Sequence, residues 1–290
     1  MTVRVGVIGG SGLYEMEGLS EVEEVRMGTP FGEPSDAFVL GTLEGERVAF
    51  LSRHGRGHRR MPSEVNYRAN IYGMKLLGVE RIVSASAVGS LREDIAPLDI
   101  VLPDQFVDVT RQRASTFFGE GLAAHVSLAD PFCPELRAIL SARGRELRLR
   151  VHEEGTYLCI EGPQFSTKAE SRVYRGLGLS VIGMTNATEA RLAREAEICY
   201  ATIALVTDYD TWHEEEAPVT VEQILGRLRA NAASARSLIR ATAAALPRAR
   251  SCECGEALRN AIITDPAAAD AVATERLRPI VGRHLRDRSS

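Results

Sequence analysis

The run Cys199-Tyr200-Ala201-Thr202-Ile203-Ala204-Leu205-Val206 carries almost no polar side chains, so as an extended strand it has no face suited to water. A strand of this kind needs cover on both sides of its sheet. Val5-Gly6-Val7-Ile8 and Val48-Ala49-Phe50-Leu51 make the same demand. Strand-like segments at 3–8, 38–43, 48–51, 82–86, 100–102, 157–160, 181–183 and 199–206 are interleaved with, or followed by, helix-like segments at 63–77, 134–145, 167–177, 186–197 and 220–246. Thr167 and Thr220 stand three residues before Glu170 and Gln223, the spacing of a capping box. The last helix has the clearest period, with Val221, Ile224, Leu225, Leu228, Ala232, Ala235, Leu238 and Ile239 on one stripe. The order predicts an α/β fold in one domain over 1–290, a mixed central β-sheet flanked by helices, with ligands gathering beyond the strand ends.

Composition narrows the class of ligand. The chain has 290 residues and a formal net charge of −4, yet Arg53-His54-Gly55-Arg56-Gly57-His58-Arg59-Arg60 sets four arginines and two histidines in eight residues directly after a strand. Positive charge is focused on one turn instead of spread over a face, which argues against a nucleic-acid partner. Guanidinium groups match phosphate oxygens, and the two glycines let backbone N–H groups approach an ion. Alone, such a run also suits a solvated loop. No apolar run nears the roughly 18 residues that span a bilayer, and Met1-Thr2-Val3-Arg4 leads directly into the first strand without a leader, so a cytoplasmic protein without a membrane partner is expected.

Other strand ends favour the anion. Gly9-Gly10-Ser11-Gly12-Leu13 offers amides and the Ser11 hydroxyl, without the spacing of a dinucleotide site or a P-loop. Ser86-Ala87-Val88-Gly89-Ser90 is small and rich in hydroxyls, suited to an anion or to a surface turn, and Thr185 stands at a helix N-terminus beside its positive dipole end. The run 201–206 ends in Thr207-Asp208-Tyr209-Asp210. Two carboxylates at i and i+2 of an extended chain point to one side, and like charges so close mean that one holds its proton more tightly. As a metal pair they would lack further ligands, so no metal is expected.

Gly9-Gly10-Ser11-Gly12-Leu13, Pro30-Phe31-Gly32-Glu33-Pro34-Ser35-Asp36, Arg53-His54-Gly55-Arg56, the stretch Met61 to Asn70, Gly89-Ser90-Leu91-Arg92, Glu161-Gly162-Pro163-Gln164-Phe165-Ser166 and Met184-Thr185 closely resemble the trimeric purine nucleoside phosphorylase superfamily. With Asp208-Tyr209-Asp210-Thr211-Trp212 the resemblance narrows to its methylthioadenosine phosphorylase branch, over about residues 3–238. It implies a phosphate site of Ser11, Arg53, His54, Ser86, Ala87 and Thr185. It implies Met184 against the ribose, Phe165 over the base with Ser166 at its edge, and Asp208 and Asp210 reading the purine. Val221 and Leu225 would line the pocket for a 5′-methylthio group, with His125 arriving from a neighbouring subunit. That shared site implies a homotrimer, open to further pairing into a dimer of trimers.

The implied reaction is phosphorolysis of S-methyl-5′-thioadenosine to adenine and 5-methylthioribose 1-phosphate, in methionine and purine salvage. Inorganic phosphate is a co-substrate and no cofactor is needed. Asp208 is the expected general acid toward N7. The alternative is a 6-oxopurine nucleoside or methylthioinosine phosphorylase of the same fold. Thr188 stands where the family pattern has proline, which predicts a looser turn. Cys252-Glu253-Cys254 is similar to a CxC element of some archaeal members, and Cys133 and Cys199 resemble a pair that is bridged in those relatives. Read from the residues alone, the five cysteines suit reduced thiols or a labile redox pair.

Overall fold

The structure, a computed structural model, describes residues 3–10, 13, 16–213 and 221–286; of 221–225, 228 and 286 it describes the backbone alone. Its strands are β1 (Val5–Gly9), β2 (Ser20–Val25), β3 (Phe38–Leu43), β4 (Glu46–Ser52), β5 (Arg81–Ser90), β6 (Ile100–Val101), β7 (Gln105–Asp108), β8 (Val151–His152), β9 (Thr156–Cys159), β10 (Val181–Gly183) and β11 (Cys199–Asp208). The helices are α1 (Tyr67–Leu76), α2 (Pro134–Glu146), α3 (Lys168–Gly176), α4 (Asn186–Glu195), α5 (Val221–Ala245), α6 (Ala271–Arg276) and α7 (Arg278–Arg286). No described helix is long and apolar enough to cross a membrane.

Every residue of β1 and β11 is buried, and alternate side chains feed two cores. Val5, Val7, Val83, Ala201 and Ile203 pack against Leu136 and Leu140 of α2 and Leu238 and Ile239 of α5. Ile8, Ile82 and Tyr200 pack on the other side against Ile71 and Met74 of α1 and Leu192 and Ala193 of α4. Each such fully buried aliphatic side chain contributes roughly 1.5–3 kcal/mol, which is why the sheet is covered on both faces. The segment beyond residue 246 joins the second core through Leu258, Ile262, Leu277, Ile280 and Val281.

The sheet runs β2-β3-β4-β1-β5-β10-β9-β7, and β11 pairs with β5 and β6. β4, β1, β5 and β11 are parallel, so their C-terminal ends share one edge. β5 is the branching strand. It pairs with β1 as far as Ser84 and, antiparallel, with β10 from Gly89 onward. Residues 85–88 are unpaired with a strand on that side while their other edge continues along β11. The split opens the sheet at its polar end.

The predicted mixed α/β architecture is the observed one. β2 was not expected, because Ser20–Val25 is an edge strand with largely exposed side chains and so has no apolar pattern. The Thr167 capping box is present, with Thr167 Oγ1 accepting from the Glu170 N–H at 3.2 Å and Glu170 accepting from the Thr167 N–H at 2.7 Å. Its proposed counterpart at Thr220 lies outside the described residues. Thr188, expected to loosen its turn, lies buried in the first turn of α4, which begins at Asn186. A first-turn N–H has no intrahelical acceptor, so threonine and proline both fit there.

Candidate active site

Arg53 follows β4 directly, and its N–H to the Gly9 carbonyl, 2.9 Å, extends the β1–β4 ladder. Its guanidinium is thereby turned into the protein beside the opening in β5. Nη1 donates to the Ala85 carbonyl at 2.9 Å, one of the carbonyls that the branch leaves free of a strand partner. Nε donates to Glu189 Oε1 at 2.5 Å, and Nη2 donates to Glu189 Oε2 at 3.0 Å and Ser84 Oγ at 2.6 Å. Glu189 also accepts from Ser84 Oγ at 3.0 Å and Tyr200 Oη at 2.8 Å. Burial works against the arginine charge, and the Glu189 carboxylate more than offsets it, so Arg53 holds its proton more tightly than usual. Breaking a buried pair of this kind costs about 3–5 kcal/mol. One Nη1–H has no acceptor among the described residues, which leaves it for a ligand.

Ser86 lies within the unpaired stretch, with Oγ buried beside the Tyr157 hydroxyl but outside good hydrogen-bond geometry with any described residue. A buried hydroxyl left so is costly. β10 runs antiparallel to β5 with Val181 opposite Ser90 and Ile182 opposite Gly89, a register that heads Met184 toward Ala87 and Thr185 toward Ser86. Thr185 is 5% exposed and its hydroxyl does not cap α4. The first turn of α4 follows Thr185 directly, its Ala187 N–H lies against Cys159, and Glu189, one turn on, is what Arg53 grips. His54 donates Nδ1–H to the Arg60 carbonyl, 2.8 Å, and its ring stacks on His58. Burial, and then the Arg53 charge, push its pKa down to about 4, so the ring is neutral at physiological pH. Ser11 lies outside the described residues.

The carboxylates sit at the far end of the same stretch. A Cβ added at Gly89 would lie 3.0 Å from Asp208 Oδ1 and 3.2 Å from Asp210 Cβ, so the glycine makes room for both. The expectation that they share a side by strand alternation needs correction. β11 ends at Asp208 after an irregularity in its pairing, and Asp210 lies beyond it in a turn at φ 53°. They meet because the Asp210 N–H donates to Asp208 Oδ1 at 2.8 Å. Thr207 Oγ1 donates to Asp208 Oδ2 at 2.6 Å, and Ser171 Oγ of α3 donates to Asp210 Oδ2 at 2.5 Å. Burial raises the proton affinity of Asp210, with Asp208 adding to it and the Ser171 and Thr211 hydrogen bonds opposing it.

Ser166, just before α3, is buried with its Oγ unpartnered among the described residues, whereas Phe165 is 57% exposed. Gly162 stands at φ +66°, and a Cβ there would come within 2.5 Å of Met184 Sδ. The Glu161-Gly162-Pro163 turn thus abuts Met184, and Arg113 locks the two together by donating to the Met184 and Glu161 carbonyls and, at 3.1 Å, to Glu161 Oε1. Arg113, Glu161, Ser171, Ser84 and Glu189 are contributors that the sequence reading did not single out for these roles. Their partners are distant in the chain, Arg53 and Glu189 by 136 residues, and no local spacing encodes such pairs.

The remaining expected residues are Val221, Leu225 and His125. Val221 and Leu225 lie in the first turns of α5, and their side chains are outside the description. His125 is exposed and borders a cleft of about 260 Å³ with Thr116, Arg191 and Glu195, toward the opposite end of α4 from Thr185. A cleft of about 820 Å³ between Lys75, Glu197, Arg250 and α7 lies at the other end of β11 and is no part of the site.

The sequence model of the Phosphorylase superfamily matches residues 4–244. The S-methyl-5′-thioadenosine phosphorylase of Geobacter sulfurreducens is 59% identical over 282 residues, covering 97% of this chain and 99% of the relative. That of Koribacter versatilis is 56% identical over 285 residues, with 98% of each chain covered. The crystal structure of a methylthioadenosine phosphorylase from an antarctic soil metagenomic library superposes with a TM-score of 0.92 at 50% identity, covering 97% of this chain and 99% of the other. A chain that matches those relatives nearly end to end belongs with them: it is a member of the Phosphorylase superfamily, and within it of the S-methyl-5′-thioadenosine phosphorylase family.

Proposed function

We propose that this chain is the enzyme that cleaves S-methyl-5′-thioadenosine with inorganic phosphate, releasing adenine and 5-methylthioribose 1-phosphate. The observation that carries this reading is the placement of both halves of the chemistry on one strand. Ser86, beside Arg53 and the α4 N-terminus, and Gly89, against Asp208 and Asp210, are three residues apart on β5. Three residues of extended chain span about 10 Å, enough to set a ribose between an anion and a purine.

In this reading Arg53 Nη1, the Ser11, Ser86 and Thr185 hydroxyls and the amides of His54 and Ala87 hold phosphate beneath C1′. Arg53 is fixed by Glu189, so no reorganisation is needed when the anion arrives. A phosphate oxygen forms the bond to C1′ as the bond to N9 breaks, and the electron pair passes to the purine. Met184 supports the ribose, and Phe165 and Ser166 flank the base. Adenine offers an acceptor at N7 and a donor at its 6-amino group. Asp208 gives a proton to N7 while the pair accepts from the amino group, and burial, with mutual repulsion adding to it, retains a proton on the two carboxyls as a unit. A 6-oxopurine, with acceptors at both positions, fits them less well. The 5′-methylthio group would rest on Val221 and Leu225, with His125 of a neighbouring chain completing a site in a cytoplasmic homotrimer.

The test is to incubate the purified protein with methylthioadenosine, adenosine, inosine and methylthioinosine, with and without phosphate, and to follow base and sugar phosphate. Adenine release from methylthioadenosine that depends on phosphate is expected. Equal release without phosphate would make the enzyme a hydrolase and defeat the proposal.

A further inference from the structure

Four of the five cysteines meet at the end of β11 remote from Asp208. Cys199 opens that strand, Cys133 is the N-cap of α2, and Cys252 and Cys254 flank the start of the turn that follows α5. Cys199 and Asp208 are the two ends of a ten-residue strand, about 30 Å apart, so the cluster has no part in the reaction. The four Sγ atoms lie within 4.8 Å of one another, with Cys252 3.6 Å from Cys133 and 3.3 Å from Cys199. All four are free thiols, three of them buried.

From this geometry we infer that Cys133, Cys199, Cys252 and Cys254 form a structural zinc site that ties the C-terminal segment to the sheet. Zinc in a tetrahedral S₄ cage has Zn–S distances of about 2.3 Å and hence sulfur separations of about 3.8 Å, in keeping with those here. Soft thiolates in this number select zinc over harder cations. Binding replaces four thiol protons with Zn²⁺ and leaves the cage with two negative charges. Two guanidinium groups stand ready to balance them. Arg194 Nη1 donates to Cys254 Sγ at 3.6 Å, and Arg250 lies against Cys199. The Leu136 N–H, in the first turn of α2, donates to Cys133 Sγ at 3.4 Å. Such outer contacts orient ligands as well as neutralise them. The fifth cysteine, Cys159, lies elsewhere, beside Arg113, and serves as an internal control.

Joining α2, β11 and the segment after α5 through one ion makes metal binding part of folding stability. The full-length enzyme, purified under reducing conditions, should contain about one zinc per chain, released in step with mercurial titration of four thiols. Removal of zinc by a chelator should lower Tm and leave kcat for methylthioadenosine at 25 °C unchanged. Reloading with Co²⁺ should give the thiolate-to-metal and d–d absorption of a tetrahedral site. Cys252→Ser, at the half-buried ligand, should weaken zinc binding by more than the roughly tenfold typical of losing an outer contact and abolish the cobalt spectrum, whereas Cys159→Ser should change neither. Wild-type protein with no zinc and no cobalt spectrum would overturn the inference, whether its thiols titrate freely or its intact mass shows them joined as disulfides.

Discussion

In the proposed reaction Asp208 reads the base, and it can be replaced without disturbing the fold. Its Oδ1 accepts from the Asp210 N–H and its Oδ2 from Thr207 Oγ1. In Asp208→Asn the amide oxygen can keep the first bond, and Thr207 can turn its proton to the Val88 carbonyl, 3.2 Å away, and accept from the new NH₂. The variant should therefore fold, turn over 6-aminopurine nucleosides more slowly, and gain on 6-oxopurines relative to them by roughly tenfold, the worth of one hydrogen bond in a dry site. An unchanged ratio of methylthioadenosine to methylthioinosine turnover would show that Asp208 does not read the base. His54 gives a pH signature. Its pKa falls from 6.5 to about 4, so the folded state prefers the neutral ring. The resulting stability is complete above pH 6.5 and is lost as pH falls through about 4, up to about 3 kcal/mol at about 1.36 kcal/mol per pKa unit. In denaturation series from pH 7 to about 4, wild type should lose that much more than His54→Asn, and parallel curves would refute the assignment. The basic turn was legible because charge and glycine are concentrated locally. That Arg53 is internally paired was not, since Glu189 approaches from another element.

At the scale of elements, period and burial decided what could be read. β11 and the long helix announce themselves by apolar runs and a 3.6-residue stripe, and the observed α5, Val221–Ala245, begins and ends within a residue of the expected helix. The polar edge strand β2 and the two-residue β8 carry no such signal. The Asx-type turn joining Asp208 to Asp210 was read as extended chain because neither that turn nor the irregularity before it can be seen in residue identities. α5 carries the next prediction. Val221 and Leu225 are four apart on this helix and so share one face. An apolar wall there leaves a buried 5′-hydroxyl without a partner, a cost of roughly 1–3 kcal/mol or on the order of tenfold in selectivity. Val221→Ser and Leu225→Ser should each shrink the preference for methylthioadenosine over adenosine. A constant ratio of kcat/KM for the two substrates in the folded fraction would mean that these residues only pack.

For the molecule as a whole, the position of His125 is the decisive geometry. It is exposed on the segment whose backbone pairs with Ile262, next to Arg191 and Glu195 of α4. Thr185 precedes the other end of this ten-residue helix, whose length is about 15 Å. His125 therefore lies away from Thr185 of its own chain, and it is exposed, where another copy can be met. Burial pushes the neighbouring Glu195 up to about 7, so this cleft holds a carboxyl that sheds much of its charge near neutral pH, a surface that a second chain can cover at low electrostatic cost. In a cyclic trimer each site would then combine Asp208 of one chain with His125 of the next. The prediction is complementation. Trimers of Asp208→Ala alone, and of His125→Ala alone, should be inactive toward methylthioadenosine. After unfolding and joint refolding, each mixed trimer holds one site in which a His125→Ala chain supplies Asp208 and an Asp208→Ala chain supplies His125. With equal inputs and random assembly roughly a quarter of all sites are restored, and turnover should approach that fraction of wild type. Activity that stays at the level of the separate variants, in samples shown by mass to contain mixed trimers, would confine the site to a single chain.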